Sequence, residues 1–265
     1  QRTVAQPVGP AAAMSDAELL ARREGHVLHL QLNRPEVGNA LSASLVQALT
    51  EAVEAAAHDA HVRLLVLSGA GRHFCTGFDL TDLDRETDDS LLARFTRVEL
   101  LLQAVHAAPF ATLALAHGRT MGAGADLFAA CTERWIAGDA SFAFPGAGFG
   151  LVLGTSRLTE QVGASRAAEW IEGGGPIDSA TATASGLATR HLATDTIDAE
   201  LERLRARVSR LDGPTQRAIR AAIAAGRRPR GDAGDAEDLA RLVRSAARPG
   251  LRDRIAAYRA AQRTR

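Results

Sequence analysis

Two glycine-bearing turns, each directly after an apolar run, constrain this chain more than any other feature. The first is His73-Phe74-Cys75-Thr76-Gly77-Phe78-Asp79-Leu80, and it follows Leu64-Leu65-Val66-Leu67-Ser68. The second is His117-Gly118-Arg119-Thr120-Met121-Gly122-Ala123-Gly124-Ala125-Asp126-Leu127, which follows Ala111-Thr112-Leu113-Ala114-Leu115-Ala116 and opens onto an apolar stretch, residues 125–130, that reads as a buried helix. Glycine before a helix lets backbone come close to a ligand, and free N–H groups at a helix start favour negative charge. Two such turns can aim two backbone N–H groups at one oxygen. That is the layout of an oxyanion hole, which stabilises a transition state by roughly 3 kcal/mol per donor when the donors sit about 3 Å from the developing charge.

Around these turns short apolar strands alternate with helices, an α/β signature. Residues 27–32 alternate as a strand, residues 42–58 have helical periodicity with a serine at the start, and residues 61–68 form the strand into the first turn. The acidic, threonine-bearing segment 81–90 reads as a mobile surface loop entering a helix over 91–107, which Pro109 ends. Beyond Leu192 the pattern becomes helical, with helices over 197–211, 214–225, 232–247 and 251–263 and an arginine- and glycine-rich exposed connector at 226–234.

Further blocks, in order, extend the match of the two turns to a known family. They are Leu32-Asn33-Arg34-Pro35-Glu36 with Asn39-Ala40-Leu41, then Gly138 to Pro145 with Gly150-Leu151 and Arg157-Leu158, then Gly163 to Trp170, then Ser179 to Ala188. Together they resemble the crotonase, or enoyl-CoA hydratase/isomerase, superfamily from about Ala21 to the C-terminus. The resemblance implies a ββα spiral core over 21–195 that holds an acyl-CoA site, and a C-terminal helical region, 196–265, at the interface of a homotrimer or dimer of trimers. Residues 1–20 are expected to be a disordered N-terminal extension in which Met14 is a native start.

The resemblance carries the oxyanion donors onto the main chain of Phe78 and Ala123, the latter at the middle of the family's GGG run between Gly122 and Gly124. Alanine is tolerable there only if the backbone angles suit a Cβ. The family's hydratases use two glutamates, and the matching positions here are Asp126 and Gly146. Hydration needs one group to deprotonate water and another to deliver a proton to carbon, whereas one base can remove and return a proton. The chain is therefore expected to be an acyl-CoA enzyme of the hydratase/isomerase type, isomerase-like, with Asp126 as acid/base. The alternative reading of Asp126 is a helix N-terminal acid held by the macrodipole. The alternatives for function are decarboxylation or carbon–carbon hydrolysis of a β-oxo acyl substrate, or acyl-CoA binding without turnover.

Other groups have plainer readings. His117 hydrogen-bonds its turn or poises a proton near neutrality. Asp79 fixes loop geometry, Glu133 is a solvated charge, and Glu99 is either a second acid or, by preference, a solvated charge on a helix face. By resemblance Cys75 sits near the acyl-CoA entrance but lacks a histidine partner for nucleophilic work. The glycine-rich wall at 145–157 contains no acid, and Thr155 and Ser156 are its only hydroxyls.

By resemblance coenzyme A, as part of the thioester substrate and not as a permanently bound cofactor, meets Glu36, Val37, Gly38, Arg72, Thr76, Phe78 and Gly122, with Arg259 reaching from a neighbouring subunit. All 31 basic residues are arginine, which excludes lysine Schiff-base chemistry, and they balance 31 acids, which gives no reason to expect nucleic acid or a membrane surface as partner. No apolar run reaches the roughly 18 residues of a membrane span. Two cysteines read as free thiols of a cytoplasmic protein, and no metal-ligand cluster occurs: His26 and His29, three apart on a strand, face opposite sides.

Overall fold

The computed structural model describes residues 17–227 and 232–263. The alternating elements build a seven-stranded sheet in which β1 to β6 lie in sequence order and β7 pairs with β5. β1 (Leu19–Glu24) and β2 (Val27–Leu32) form an antiparallel hairpin. From β2 onward, β3 (Leu64–Gly69), β4 (Ala111–Met121) and β5 (Glu133–Ala143) pair in parallel, and the short β6 (Ile177–Asp178) and β7 (Arg190–Leu192) both join β5. Parallel neighbours require crossovers, and α1 (Ala43–His58), α2 (Asp88–His106) and α3 (Ala123–Ala130) supply them.

Both sheet faces are covered, which is why β3 reads as an unbroken apolar run. On one face Leu30, Leu65 and Leu67 pack against Leu45 and Leu49 of α1, Val98, Leu101 and Leu102 of α2, and the whole of α3. On the other, Val27, Leu64, Val66 and Trp135 pack against Leu204 and Val208 of α7 (Ile197–Ser209). Beyond β5 come α4 (Thr155–Val162), α5 (Ala164–Gly173) and α6 (Ser179–Ala184). After α7 follow α8 (Gly213–Arg227), α9 (Asp232–Ala246) and α10 (Leu251–Arg263), so the four C-terminal helices stand where the sequence puts them. Residues 228–231 of the connector lie outside the described residues. Leu242, Ala246, Leu251 and Ile255 of α9 and α10 share an apolar cluster with Leu91 and Phe95 of α2, folding these helices onto their own chain. Among the described residues no helix is long and apolar enough to cross a membrane.

Local structure corrects two expectations. Residues 1–16 of the expected extension lie outside the described residues, but Leu19 and Leu20 belong to β1, pairing with Leu32 and Gln31, and Glu18 meets Arg34 at 2.9 Å. The segment 81–90 is not a loop throughout. Leu83 is buried, and Thr87 and Ser90 cap each other's backbone N–H groups at 3.1 and 2.8 Å, which starts α2 at Asp88. Threonine, aspartate and serine read as loop in isolation but are also what an N-terminal cap requires.

Candidate active site

The first turn is held open by its neighbours. Leu41 donates its N–H to Gly77 O and accepts from the Asp79 N–H, so by strand alternation the N–H of Phe78 points to the opposite edge. Asn39, buried and at φ 56°, donates its side-chain amide to Ala70 O and His73 O at 2.8 and 2.7 Å and ties segment 34–41 to the turn. The Phe78 ring is clamped, stacked on Phe95 at 4.0 Å and covered by the Arg94 guanidinium at 4.2 Å. Asp79 braces the turn from behind: it accepts from Arg34 at 2.8 Å and from the Thr81 N–H at 2.9 Å. Burial opposes its ionisation, but the hydrogen bonds from Thr81 and Arg34 prevail and hold its carboxyl below the usual range.

The second turn passes through Gly122, whose φ of 53° and ψ of −127° suit glycine alone, and then starts α3 at Ala123. Neither the Phe78 nor the Ala123 N–H takes part in the backbone pairing among the described residues. The turns touch. A Cβ on Gly77 would lie 2.8 Å from Met121 O and 3.6 Å from Ala123 N, and one on Gly124 would lie 2.3 Å from Cys75 O. Glycine at these two positions therefore sets how closely the two free amides approach.

Asp126 lies in the first turn of α3, buried, with its Oδ1 beneath Gly154: a Cβ on Gly154 would be 2.1 Å from it. Desolvation pushes its carboxyl up to about 8, with Arg157 working against the shift and Glu99 adding to it. The acid is thus poised to exchange a proton near neutrality, as a general acid/base must.

Phe78, Ala123 and Asp126 share one cavity, about 780 Å³ of space that opens to solvent. Thr76 and Gly122 line it too, so five of the predicted site residues come together. Its remaining wall is mostly apolar and aromatic, with Phe95, Phe144, Phe149, Leu151, Leu153, Ile171 and Tyr258, and Thr155 and Arg259 add polar side chains. Gly146 lines the cavity, and a Cβ there would meet nothing closer than Leu151 at 3.8 Å. Among the described residues lining the cavity, Asp126 is the sole carboxylate.

Glu36, Val37, Gly38 and Arg72 do not line the cavity, and of the four Val37 and Gly38 flank its Thr76 side. Gly38 O accepts the Thr76 N–H at 2.9 Å, Val37 O accepts the Thr76 hydroxyl at 3.3 Å, and Glu36 and Arg72 are exposed. Arg259 corrects its expectation, since it lines the cavity from the chain's own α10 and donates to Leu80 O at 3.0 Å. Its neighbour Tyr258 meets Phe149 edge to face at 5.4 Å, a contribution with no signal in sequence beyond being the chain's one tyrosine. His117 bonds Gly71 O at 2.9 Å and stays with the turn. Cys75 is not at an entrance: it is buried against Gly124, and desolvation pushes its thiol up to about 12. Glu133 is partly buried and paired with Arg207.

Glu99 departs furthest from its reading as a solvated charge. It is 1% exposed on α2 and accepts both guanidinium arms of Arg157, at 3.0 and 2.5 Å, with Gln103 adding a hydrogen bond at 2.8 Å. No periodicity could show this, because the partner lies 58 positions away. Among the described residues no group of histidines, cysteines and acids could hold a metal ion.

The parallel sheet, the paired turns and the buried acid define an enzyme class. A sequence profile of the enoyl-CoA hydratase/isomerase family matches residues 22–236, and the chain belongs to that family. A solved enoyl-CoA hydratase/isomerase of Bordetella parapertussis is 41% identical, covers 91% of this chain and 98% of its own, and superposes with a TM-score of 0.86. An enoyl-CoA hydratase of Mycobacterium tuberculosis, echA6, is 35% identical over 168 residues, 62% of this chain and 66% of the relative. The human mitochondrial delta(3,5)-delta(2,4)-dienoyl-CoA isomerase is 35% identical over 154 residues, which span 52% of this chain and 46% of the relative. The chain is thus an enzyme of the hydratase/isomerase family, with the crotonase α/β fold that its turns predict.

Proposed function

We propose that this enzyme shifts a double bond in an acyl-CoA thioester by single-carboxylate enolate chemistry. The observation that carries the reading is that, among the described residues, Asp126 is the sole carboxylate lining the cavity into which the two free amides open. The ionised Asp126 removes a proton from C2 of a 3-enoyl thioester, the C2–H electron pair moves toward the thioester carbonyl, and the enolate oxygen rests on the N–H groups of Phe78 and Ala123. The protonated Asp126 then returns the proton to C4, which leaves a 2-enoyl thioester. No net proton is gained or lost, so one acid suffices. Hydration would require a second group to manage water, and Gly146 brings none.

Coenzyme A lies along the Thr76 side, with its adenosine end at Glu36, Val37 and Gly38 and its phosphates near Arg72 and Arg259. Arginine's planar fork suits phosphate oxygens. The acyl chain runs between Phe144, Phe149 and Leu153. Exposed Ile219 and Ile223, one turn apart on α8, support association into trimers, and two buried free thiols fit a cytoplasmic setting.

Turnover of a 3-enoyl-CoA and of crotonyl-CoA by wild type and Asp126→Asn, with acetyl-CoA binding measured alongside, tests the proposal. Isomerisation lost in the variant with binding intact is the expected result. Undiminished isomerisation in Asp126→Asn overturns it, and so does hydration that outpaces isomerisation in the wild type.

A further inference from the structure

The buried Glu99–Arg157 pair lies next to Asp126 and has no role in the proposed chemistry. It rests on two different elements, α2 and α4, and each side chain is 1% exposed. Arg157 begins to matter three residues after Gly154, whose backbone abuts the Asp126 carboxyl. The guanidinium uses two nitrogens on Glu99, while its Nε is buried with no hydrogen-bond partner among the described residues. A buried pair of this kind is seldom the most stable filling for its space, since apolar residues of similar volume do as well or better. An orphaned buried N–H adds a further penalty.

We propose that Glu99 is a positioning residue that acts through Asp126: by neutralising Arg157 it prevents that cation from stripping the catalytic acid of its proton. The inference rests on the reading of Asp126 as the acid/base. The groups around Asp126 are few. Glu99 faces it from α2 and Arg157 from α4, Asp238 of α9 adds its field to Arg157, and Tyr258 and Arg259 of α10 stand on the same cavity wall. With the pair intact, Glu99 opposes the pull of Arg157 on Asp126, and burial sets the balance toward the protonated form. With Glu99 uncharged, Arg157 becomes a buried cation left with the fields of Asp126 and Asp238, of which Asp126 is the stronger. Opposite charges at close range favour ionisation of a carboxyl, so the sign of the effect is fixed.

The test is Glu99→Gln, which keeps the shape of the side chain and removes its charge. Two readouts are taken: the pH profile of kcat/KM with a 3-enoyl-CoA, and direct titration of Asp126 by carbon-13 carboxyl NMR of the intact enzyme. Both should move to acid by at least one pH unit, with KM changed less than twofold, so that the ionised fraction of Asp126 at pH 6 rises about tenfold. The double variant Glu99→Gln, Arg157→Met removes both charges and should bring the titration back to within about half a unit of wild type. A purely structural pair would change stability and leave the titration unmoved. An unmoved or alkaline-shifted Asp126 titration in Glu99→Gln overturns the inference, as does a double variant that titrates like the single one. Should Glu99→Gln fail to fold, Arg157→Met decides by sign: wherever Glu99 stays ionised, which the same carboxyl spectra report, the Asp126 titration must shift to alkali, and an acid shift, or none with Glu99 ionised, refutes the inference. If the NMR titration moves as stated while the pH–rate profile does not, the electrostatic inference stands and the assignment of Asp126 as the acid/base falls.

Discussion

Asp126→Asn should stabilise the fold as it abolishes turnover, and the stabilisation should depend on pH in a defined way. Asparagine keeps the size of the side chain, so the close packing beneath Gly154 is preserved. What changes is the proton. In the folded enzyme burial pushes the Asp126 carboxyl up to about 8 from an ordinary 3.8. Between those values the unfolded chain has released the proton while the folded one still holds it. Folded protein therefore binds more protons than unfolded, and wild-type stability falls as pH rises, by about 1.4 kcal/mol per unit. Below about pH 4 both states are protonated and the penalty vanishes; above about pH 8 it is complete. Asparagine carries no such slope. The stability advantage of the variant should grow by about 3.7 kcal/mol between pH 5 and pH 8, three units of that slope less the half-ionisation of the folded state at pH 8. Urea unfolding of both proteins at pH 5, 6.5 and 8, at one protomer concentration, measures it. Parallel stability profiles would show that Asp126 titrates normally and would refute its poise near neutrality. The same poise makes isomerase kcat/KM climb with pH toward a plateau above about 8, because the base form is needed at the start.

Further substitutions probe the rest of the site. Gly154→Ala places a Cβ 2.1 Å from Asp126 Oδ1 at a φ of +67°, so kcat should fall by about 100-fold and the urea midpoint should drop. Ala123→Pro removes one amide donor at the first position of α3, where helices accept proline; kcat should fall by about 100- to 1000-fold while acetyl-CoA binding by calorimetry holds. Gly146→Glu installs a carboxylate where a Cβ meets only Leu151 at 3.8 Å, and crotonyl-CoA hydration should rise at least tenfold, a fraction of the roughly 100-fold that a well-positioned general acid/base contributes. No gain in a folded variant would place the missing hydration step elsewhere. Burial pushes the Cys75 and Cys131 thiols up to about 12, so an aromatic disulfide reagent should label neither in native protein and both in denaturant.

What the sequence reveals about this enzyme depends on how local the physical requirement is. The turns are legible because glycine is demanded within a few residues, at Gly77 by the approach of Met121 O and at Gly122 by its backbone angles. Alanine at position 123 passes because it opens α3, where helical angles accept a Cβ. The cap at Thr87 uses residue types that also make loops, so pattern alone places the start of α2 three residues late. Glu99 is illegible for a deeper reason. Its burial is tolerable only because Arg157 folds against it from another helix, and amphipathic periodicity treats an isolated glutamate as solvent-facing. The aromatic wall is similar, since Phe95, the pair Phe144 and Phe149, and Tyr258 come from three separate segments and meet only when α10 folds back.

The shape of the cavity fits the proposed reading, in which one acid works alone, better than a hydratase site with a part removed. Were a second glutamate simply lost at position 146, the opposing acid would be expected to keep the reach that water addition requires. Instead the acid at 126 is the shorter aspartate, and Gly154 closes over its carboxyl so tightly that even a Cβ would displace it. A glutamate here would need an additional methylene in that space, and overfilled cores force side chains and backbone aside. The space left open at Gly146 is bordered by Leu151, with Phe144 and Phe149 lining the same cavity, and these side chains offer a water molecule no hydrogen-bond partner. Shorter acid, closed roof and apolar surroundings at Gly146 all point the same way. They favour a proton that leaves one carbon and returns to another over the addition of water across the bond.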